Sequence, residues 1–189
     1  MKRFFVAALA AILLVTGVGI AETTPEATPV PFVPLSEYVY AEAVSSAISL
    51  RVYYPSHWTN LPGRYTICFQ EPVEEGDVPA RMAVTCKQLS DKPSSDRTAR
   101  ELGAFLSAIV NQYDSYKVGN LTEDASFMGK DAYSSVYEAT QGEKVIRGYV
   151  VMTSVGSALY GFHFCCEDKD YADMTIVLNR VRDGVSSIK

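Results

Sequence analysis

The fold is decided by the stretch Gly129–Glu167, which reads GKDAYSSVYEATQGEKVIRGYVVMTSVGSALYGFHFCCE. It predicts three antiparallel strands, Ala132–Thr140, Lys144–Ser154 and Ala158–Cys166. Strand-favouring residues dominate the three runs, and a glycine sits in each short connection, where a hairpin turn needs a positive φ. Both faces of the last strand are largely apolar. We therefore expect other elements to cover this meander on both sides.

Outside the meander, the sequence predicts further strands and two helices. The predicted strands are Glu37–Val44, Ala47–Tyr54, Arg64–Gln70, Ala80–Leu89 and Tyr116–Leu121, with a hairpin at Ser45-Ser46 and a polar loop running up to Gly129. A helix is predicted after the capping run Lys92–Asp96, and a second helix from Asp168 onward. Apolar stripes at helical spacing support both predictions: Leu102, Phe105, Leu106, Ile109, Val110 and Tyr113 in the first, and Met174, Val177, Leu178, Val181 and Val185 in the second. The order of elements indicates an α+β fold with a mostly antiparallel sheet.

The N-terminus is typical of an exported protein. Lys2 and Arg3 precede the uncharged apolar run Phe4–Val18, and small residues end at Ala21. We predict a signal peptide over residues 1–21, a Pro/Thr-rich linker over 22–36 and one domain over 37–189. The apolar run is shorter than the ~20 residues of a membrane span, so we predict a secreted, extracytoplasmic chain with no stable membrane insertion after cleavage. An uncleaved anchor stays open as the alternative.

Charge and cysteine content restrict the function further. The formal net charge of −5 becomes −7 once Lys2 and Arg3 are removed, and this acidic balance without a basic cluster disfavours nucleic acid as a partner. Export permits disulfides, but four cysteines, Cys68, Cys86, Cys165 and Cys166, allow several pairings as well as buried thiols. The sequence leaves the disulfide state and the oligomeric state open.

Several residues resemble the structural residues of the PsbP-like fold, which is shared with the Mog-type proteins. The segment Tyr54-Pro55-Ser56-His57-Trp58 resembles the family's YPxxW opening, Gly129-Lys130-Asp131-Ala132-Tyr133 resembles its entry to the meander, and the closing helix ends before Ser186-Ser187-Ile188. The resemblance covers about Glu37–Ile188. It implies an α/β/α sandwich, with the sheet flanked by the mid-chain and C-terminal helices, and non-enzymatic roles in binding or assembly.

Two groups of residues are candidates for function. The aromatics Tyr53, Tyr54, His57 and Trp58 fall together at one end of the predicted sheet and could form a binding surface, since aromatic rings with polar tips suit contact with a partner. The other group is His163, Cys165 and Cys166. It suggests a small extracytoplasmic redox or hydrolytic protein as the alternative function.

Chemistry at the second group lacks the ligands and bases that it would need. A zinc site takes at least three protein ligands, and only His163 and Cys165 share a strand face. We therefore predict no metal, no cofactor and no catalytic residue. The main expectation is a secreted, non-catalytic binding or assembly module whose partner is a secreted or envelope protein.

Overall fold

The structure is a computed structural model that describes residues 33–188. The predicted signal peptide, residues 1–21, and most of the predicted linker, residues 22–36, lie outside the described residues, so both stay predictions. The end of that linker belongs to the folded part of the chain. Leu35–Glu37 forms a turn of 3₁₀ helix, and Leu35 packs against the core.

Two sheets and two α-helices make up the described residues. The strands are β1 Tyr40–Ser45, β2 Leu50–Pro55, β3 Thr59–Pro62, β4 Thr66–Gln70, β5 Arg81–Gln88, β6 Ser115–Val118, β7 Thr122–Phe127, β8 Lys130–Gln141, β9 Lys144–Val155, β10 Ala158–Glu167 and β11 Ser186–Ser187. The helices are α1 Ser95–Val110 and α2 Asp168–Gly184. The main sheet has the order β3-β4-β5-β10-β9-β8-β6, and β7 also pairs with β8; β1, β2 and β11 form a second sheet.

The predicted meander is confirmed as β8, β9 and β10, which pair antiparallel in the middle of the main sheet. Its turns contain Gly142 and Gly156 at φ values of +60° and +61°. A side chain at either position would be strained, because L-residues rarely adopt this conformation. The glycines therefore fix the two turns and, through them, the register of the sheet.

The two faces of the main sheet are covered by different elements. Phe162 on β10 lies on the face that packs against α2 and the second sheet, in one apolar core with Val177 and Leu50; we call this the α2 face. Gly161 lies on the opposite face, where a Cβ would come within 3.4 Å of the Phe105 ring of α1; we call this the α1 face. One helix on each side of an antiparallel sheet confirms the α+β sandwich.

The predicted helices are confirmed, and the stripe residues within them are buried, whereas Tyr113 and Val185 lie just beyond the helix ends. In α1, the Ser94 side chain accepts a hydrogen bond from the Arg97 backbone N–H, which caps the helix as the sequence predicts. The side chains of Leu102, Phe105 and Ile109 in α1 are buried. In α2, the acidic residues Asp168 and Asp170 occupy the first turn, where they interact favourably with the helix dipole.

Several strands differ from the sequence prediction; β11 is not predicted, and the strand predicted from Glu37 begins at Tyr40. The polar loop predicted before Gly129 is in fact β7, and β3 is a strand that the sequence does not predict. Both are edge strands with few apolar residues, so the alternation that marks a half-buried strand is missing. The strand predicted from Ala47 begins at Leu50, because Ser49 has a φ of +53° and belongs to the turn.

Candidate functional site

Trp58, which the sequence places in a binding surface, is part of the core. Its side chain is 3% exposed and packs with the apolar residues of the α2 face. The indole N–H has no hydrogen-bond partner among the described residues. The Tyr38 hydroxyl, which interacts with Trp58, donates its hydrogen bond to Glu71 at 3.4 Å. A partner could not contact Trp58 without opening the core.

The other three predicted aromatics do not share one surface. Tyr54 stacks on Phe69 with ring centroids 4.1 Å apart, whereas Tyr53, on the opposite face of β2, is 38% exposed and lies against Gly184. His57 makes an edge contact with Tyr38 at 4.5 Å, and burial lowers its pKa. The structure thus separates the four residues, and their binding role stays a prediction.

All four cysteines are free thiols in the described residues. Cys165 and Cys166 point to opposite faces of β10, and β5 lies between Cys165 and Cys68. Two strand spacings amount to roughly 10 Å, beyond the reach of a disulfide. Cys86 pairs with Tyr160, six residues along β10 from Cys166. The disulfide state that the sequence left open is therefore four unpaired thiols at separate places.

His163 and Cys165 lie in a cluster of polar side chains on the α1 face. The Tyr137 hydroxyl is 2.8 Å from His163 Nε2, and the Tyr113 hydroxyl is 4.0 Å from Cys165 Sγ. The Tyr137 ring lies directly above Gly148, where any Cβ would overlap it. The glycine in β9 thus provides the space that brings Tyr137 to His163.

Burial keeps the cluster neutral. It lowers the pKa of His163 to about 4, and the positive charge of Arg81 adds to this effect. Burial raises the pKa of the Cys165 thiol, and Arg81 opposes that rise only in part. Burial also raises the pKa of Cys166 on the other face to about 12.

The neutral cluster lacks the arrangement that nucleophilic chemistry needs. A catalytic cysteine acts as a thiolate and takes a base within hydrogen-bond reach. Here the His163 ring nitrogen is engaged by Tyr137, and the Cys165 sulfur contacts the Tyr113 hydroxyl and not a base. The arrangement suits a buried polar network better than a nucleophile–base pair.

The α2 face carries a cleft that the sequence did not indicate. Helix α2 packs over β10 and β9 but does not cover the segment of β8 around Val136, which is 48% exposed. Beside the helix lies a cleft of about 530 Å³, within the usual range of ligand sites. It is lined by Thr122, Ala125, Ser126, Met128, Gly129, Ser134, Tyr149, Arg182 and Asp183.

A second cleft of about 400 Å³ continues along the same helix, with Val136, Glu138, Arg147 and Tyr171 among its lining residues. The two clefts adjoin where Val136 pairs with Tyr149 across β8 and β9. We call them together the α2 groove. Its floor is formed by exposed Val136 and half-buried Glu138, Arg147 and Tyr149 of β8 and β9, and one wall is α2.

Arginine–tyrosine stacks lie at both ends of the α2 groove. The Arg182 guanidinium lies 5.9 Å from the Tyr149 ring centroid and forms a 2.8 Å ion pair with Asp183. At the other end, Arg147 lies 5.5 Å from the Tyr171 ring centroid and 2.8 Å from Asp168. Each end is therefore an amphipathic surface whose charges are locally balanced.

Met128 holds a strained backbone conformation at the rim of the α2 groove. It has a φ of +55° and precedes Gly129 at +69°, in the turn that joins β7 to β8. Hairpin turns with two positive φ values favour Asn or Asp before the glycine, and a methionine there costs roughly 1 kcal/mol. Such strain clusters at functional sites. Met128 lines the cleft and is partly buried.

Comparison with known proteins identifies the fold. No protein-family model and no curated protein matches the chain. Among solved structures, cyanobacterial PsbP (CyanoP) from Synechocystis sp. PCC 6803 superposes with a TM-score of 0.58 at 12% identity, over 78% of this chain and 92% of that one. The chain has the PsbP-like fold. The resemblance predicted from Tyr54–Trp58 and the meander is thus confirmed.

Two further structures share this PsbP-like fold. One is LpqN, described as involved in cell envelope biogenesis of Mycobacterium tuberculosis, with a TM-score of 0.52 at 13% identity over 80% of this chain and 91% of LpqN. The other is a protein of Bacteroides thetaiotaomicron, with a TM-score of 0.54 at 14% identity over 78% of this chain. The present chain spans about half of the Bacteroides protein, 48%.

The part of the chain that the structure describes contains neither a metal-binding cluster nor a membrane-spanning helix. Within residues 33–188, no three His, Cys, Asp or Glu side chains are placed to hold a metal ion. In the same range, no helix is both long and apolar enough to cross a membrane.

Proposed function

We propose that this chain is an exported, non-catalytic binding module that takes a short extended segment of a secreted or envelope protein in the α2 groove. The observation that carries the proposal is the uncovered segment of β8 around Val136, beside α2. An apolar side chain, Val136, is exposed at its centre, and the clefts on either side of it have the size of a binding site.

The dimensions of the α2 groove fit an extended peptide. Tyr171 and Arg182 line its helix wall at opposite ends, and eleven residues of α-helix rise about 16 Å. An extended chain covers this length with about five residues. Because β6 and β7 already pair with the outer edge of β8, the peptide would lie across the sheet face and not add a strand to it.

The side chains favour a peptide with an apolar residue at its centre. Val136 offers an apolar floor, and Tyr149 offers an aromatic ring beside it. The ion pairs Arg182–Asp183 and Arg147–Asp168 balance the charges at the two ends. The groove thus favours neutral and mixed sequences over strongly charged ones.

The alternative function, a redox or hydrolytic protein, has less support. Cys165 and Cys166 lie on opposite faces of β10, and burial raises the pKa of both thiols. The Nε2 atom of His163 forms a hydrogen bond with the Tyr137 hydroxyl and not with a thiol. Neither the general base nor the thiolate of the alternative is therefore available.

Selection of short random peptides on the tagged chain, residues 22–189, tests the proposal. We expect the selected peptides to lose at least tenfold in affinity for Val136→Glu, because the new carboxylate would be desolvated beneath the peptide; tenfold corresponds to about 1.4 kcal/mol. Val44→Glu is the matched control. Val44 is also an exposed strand valine, 56% against 48% for Val136, but it lies in β1 of the second sheet.

Substitution of the thiols tests the alternative, redox or hydrolytic function. The double variant Cys165→Ser, Cys166→Ser should bind the same peptides as the wild type does, once its folding has been verified by a thermal melt. Peptides that bind Val136→Glu and the wild type equally would contradict the proposal. So would loss of binding on alkylation of the thiols in the folded protein.

A further inference from the structure

Arg81 is a half-buried cation on the α1 face that has no carboxylate partner among the described residues. It belongs to β5 and lies opposite Cys165 of β10. Its one side-chain hydrogen bond runs from Nε to Gln70 Oε1 at 3.0 Å, and none of the ion pairs of residues 33–188 includes it. A guanidinium has five N–H donors, and this hydrogen bond uses one of them.

The groups around Arg81 are neutral. Its charge acts on His163, Cys165, Cys68 and Tyr113. The His163 ring is held neutral by burial and by Arg81 itself, and no carboxylate contributes to its environment. Arg81 is thus a local positive charge in a chain whose formal net charge is −5.

This part of the α1 face is open to a ligand. Helix α1 packs over β8, β9 and β10, and towards β3 the sheet is less covered: Ala83 and His163 are half-buried, and Leu61 is exposed. A small molecule could therefore reach the guanidinium from solvent. Arginine is well suited to such a site because its planar fork binds a carboxylate or a phosphate through two hydrogen bonds.

We propose that Arg81, oriented by Gln70 and flanked by His163 and Tyr113, forms an oxyanion-binding site on the α1 face, which takes a carboxylate or a phosphate group. The site lies on the opposite side of the sheet from the α2 groove and does not depend on the groove's function. The ligands share a pair of anionic oxygens, which can accept two hydrogen bonds from the N–H groups of the guanidinium.

Titration with sodium acetate and with inorganic phosphate tests the site at constant ionic strength, followed by the NMR signals of the two histidine rings. Saturable binding at Arg81 should shift the His163 signals and raise the pH at which this ring titrates, since the bound anion offsets the Arg81 charge. His57 serves as the internal reference and should not respond. The stronger of the two anions identifies the ligand class.

Variants decide whether the effect belongs to Arg81. Arg81→Gln should weaken binding of the preferred anion at least tenfold. Arg81→Lys retains the charge but not the planar guanidinium, so its affinity should lie between those of Arg81→Gln and the wild type. Arg64→Gln removes an exposed arginine near the same edge of the sheet and should change nothing. Equal binding by Arg81→Gln or Arg81→Lys and the wild type would overturn the proposal, as would a shift of both histidines together.

Discussion

The two faces of the main sheet are built from the same strands but differ in character. The α2 face is dry and aromatic around Phe69, Phe162 and Phe164, all at 0% exposure. The α1 face carries the polar cluster around His163 and the half-buried Arg81. In β10 the two faces alternate, so that His163 and Cys165 of the polar cluster lie next to Phe162, Phe164 and Cys166 of the core. One strand thus contributes to a packed core with one face and to a polar network with the other.

The two faces of the main sheet therefore contribute differently to stability. On the α2 face, the core beneath α2 and the second sheet stabilises the fold, and the proposed binding surface is the exposed segment of β8 around Val136. On the α1 face, each polar group needs its own partner, since a buried polar group without one is costly. Glycines make this network possible, because Gly148 leaves room for the Tyr137 ring.

The largest expected effect on stability comes from removing a ring from the aromatic core of the α2 face. Phe162→Ala removes a fully buried ring from the centre of the sheet, and we expect the free energy of unfolding to fall by roughly 3–5 kcal/mol. Denaturant melts measure this change. The exposed residue Lys92 provides the control, since Lys92→Ala should stay within about 0.5 kcal/mol of the wild type. A loss below about 1 kcal/mol for Phe162→Ala would mean that this face is not the core.

A smaller effect should arise from the α1 face at acid pH. The folded-state pKa of His163 is about 4, below the ordinary value of 6.5. Between these values the unfolded chain binds more protons, so the neutral histidine contributes stability above pH 6.5 that is lost as the pH falls towards 4. The difference of pKa corresponds to at most about 3 kcal/mol.

Comparison with His163→Gln isolates this contribution from the carboxyl groups that titrate in the same range. The stability of the wild type relative to the variant should decrease as the pH is lowered from 6.5 to 4, and it should be constant above pH 7. Parallel pH profiles for the two proteins would contradict a neutral, buried His163.

The sequence predicts the sheet and helices well where periodicity is strong. The meander and the Leu102–Val110 stripe have the alternation and the helical spacing that burial on one or both faces requires. The same alternation places Cys165 and Cys166 on opposite faces. The edge strands β3 and β7 are missed because a strand with few buried side chains carries no such pattern.

The candidate site is less predictable than the fold. Met128, Tyr149 and Arg182 come from three separate elements, and only the register of β8 against β9 places Val136 beside Tyr149. Trp58 shows the opposite problem. An aromatic residue with polar neighbours in the sequence occurs both on binding surfaces and at buried sheet ends. Only the packing shows that Trp58 belongs to the core. The positive φ of Met128 is a local signal of strain at the groove, and the sequence pair Met-Gly does not predict it.

Amide NMR of the wild-type protein with a selected peptide compares the two faces most directly. We expect chemical-shift changes to concentrate around the α2 groove, at the turn Met128-Gly129, along Ser134–Glu138 of β8 and near Arg182. The amides of Arg81, His163 and Cys165 on the α1 face should change little. Shifts centred on Arg81 and His163, or on Tyr53 and His57 of the predicted aromatic surface, would contradict the claim that this domain binds its partner in the α2 groove.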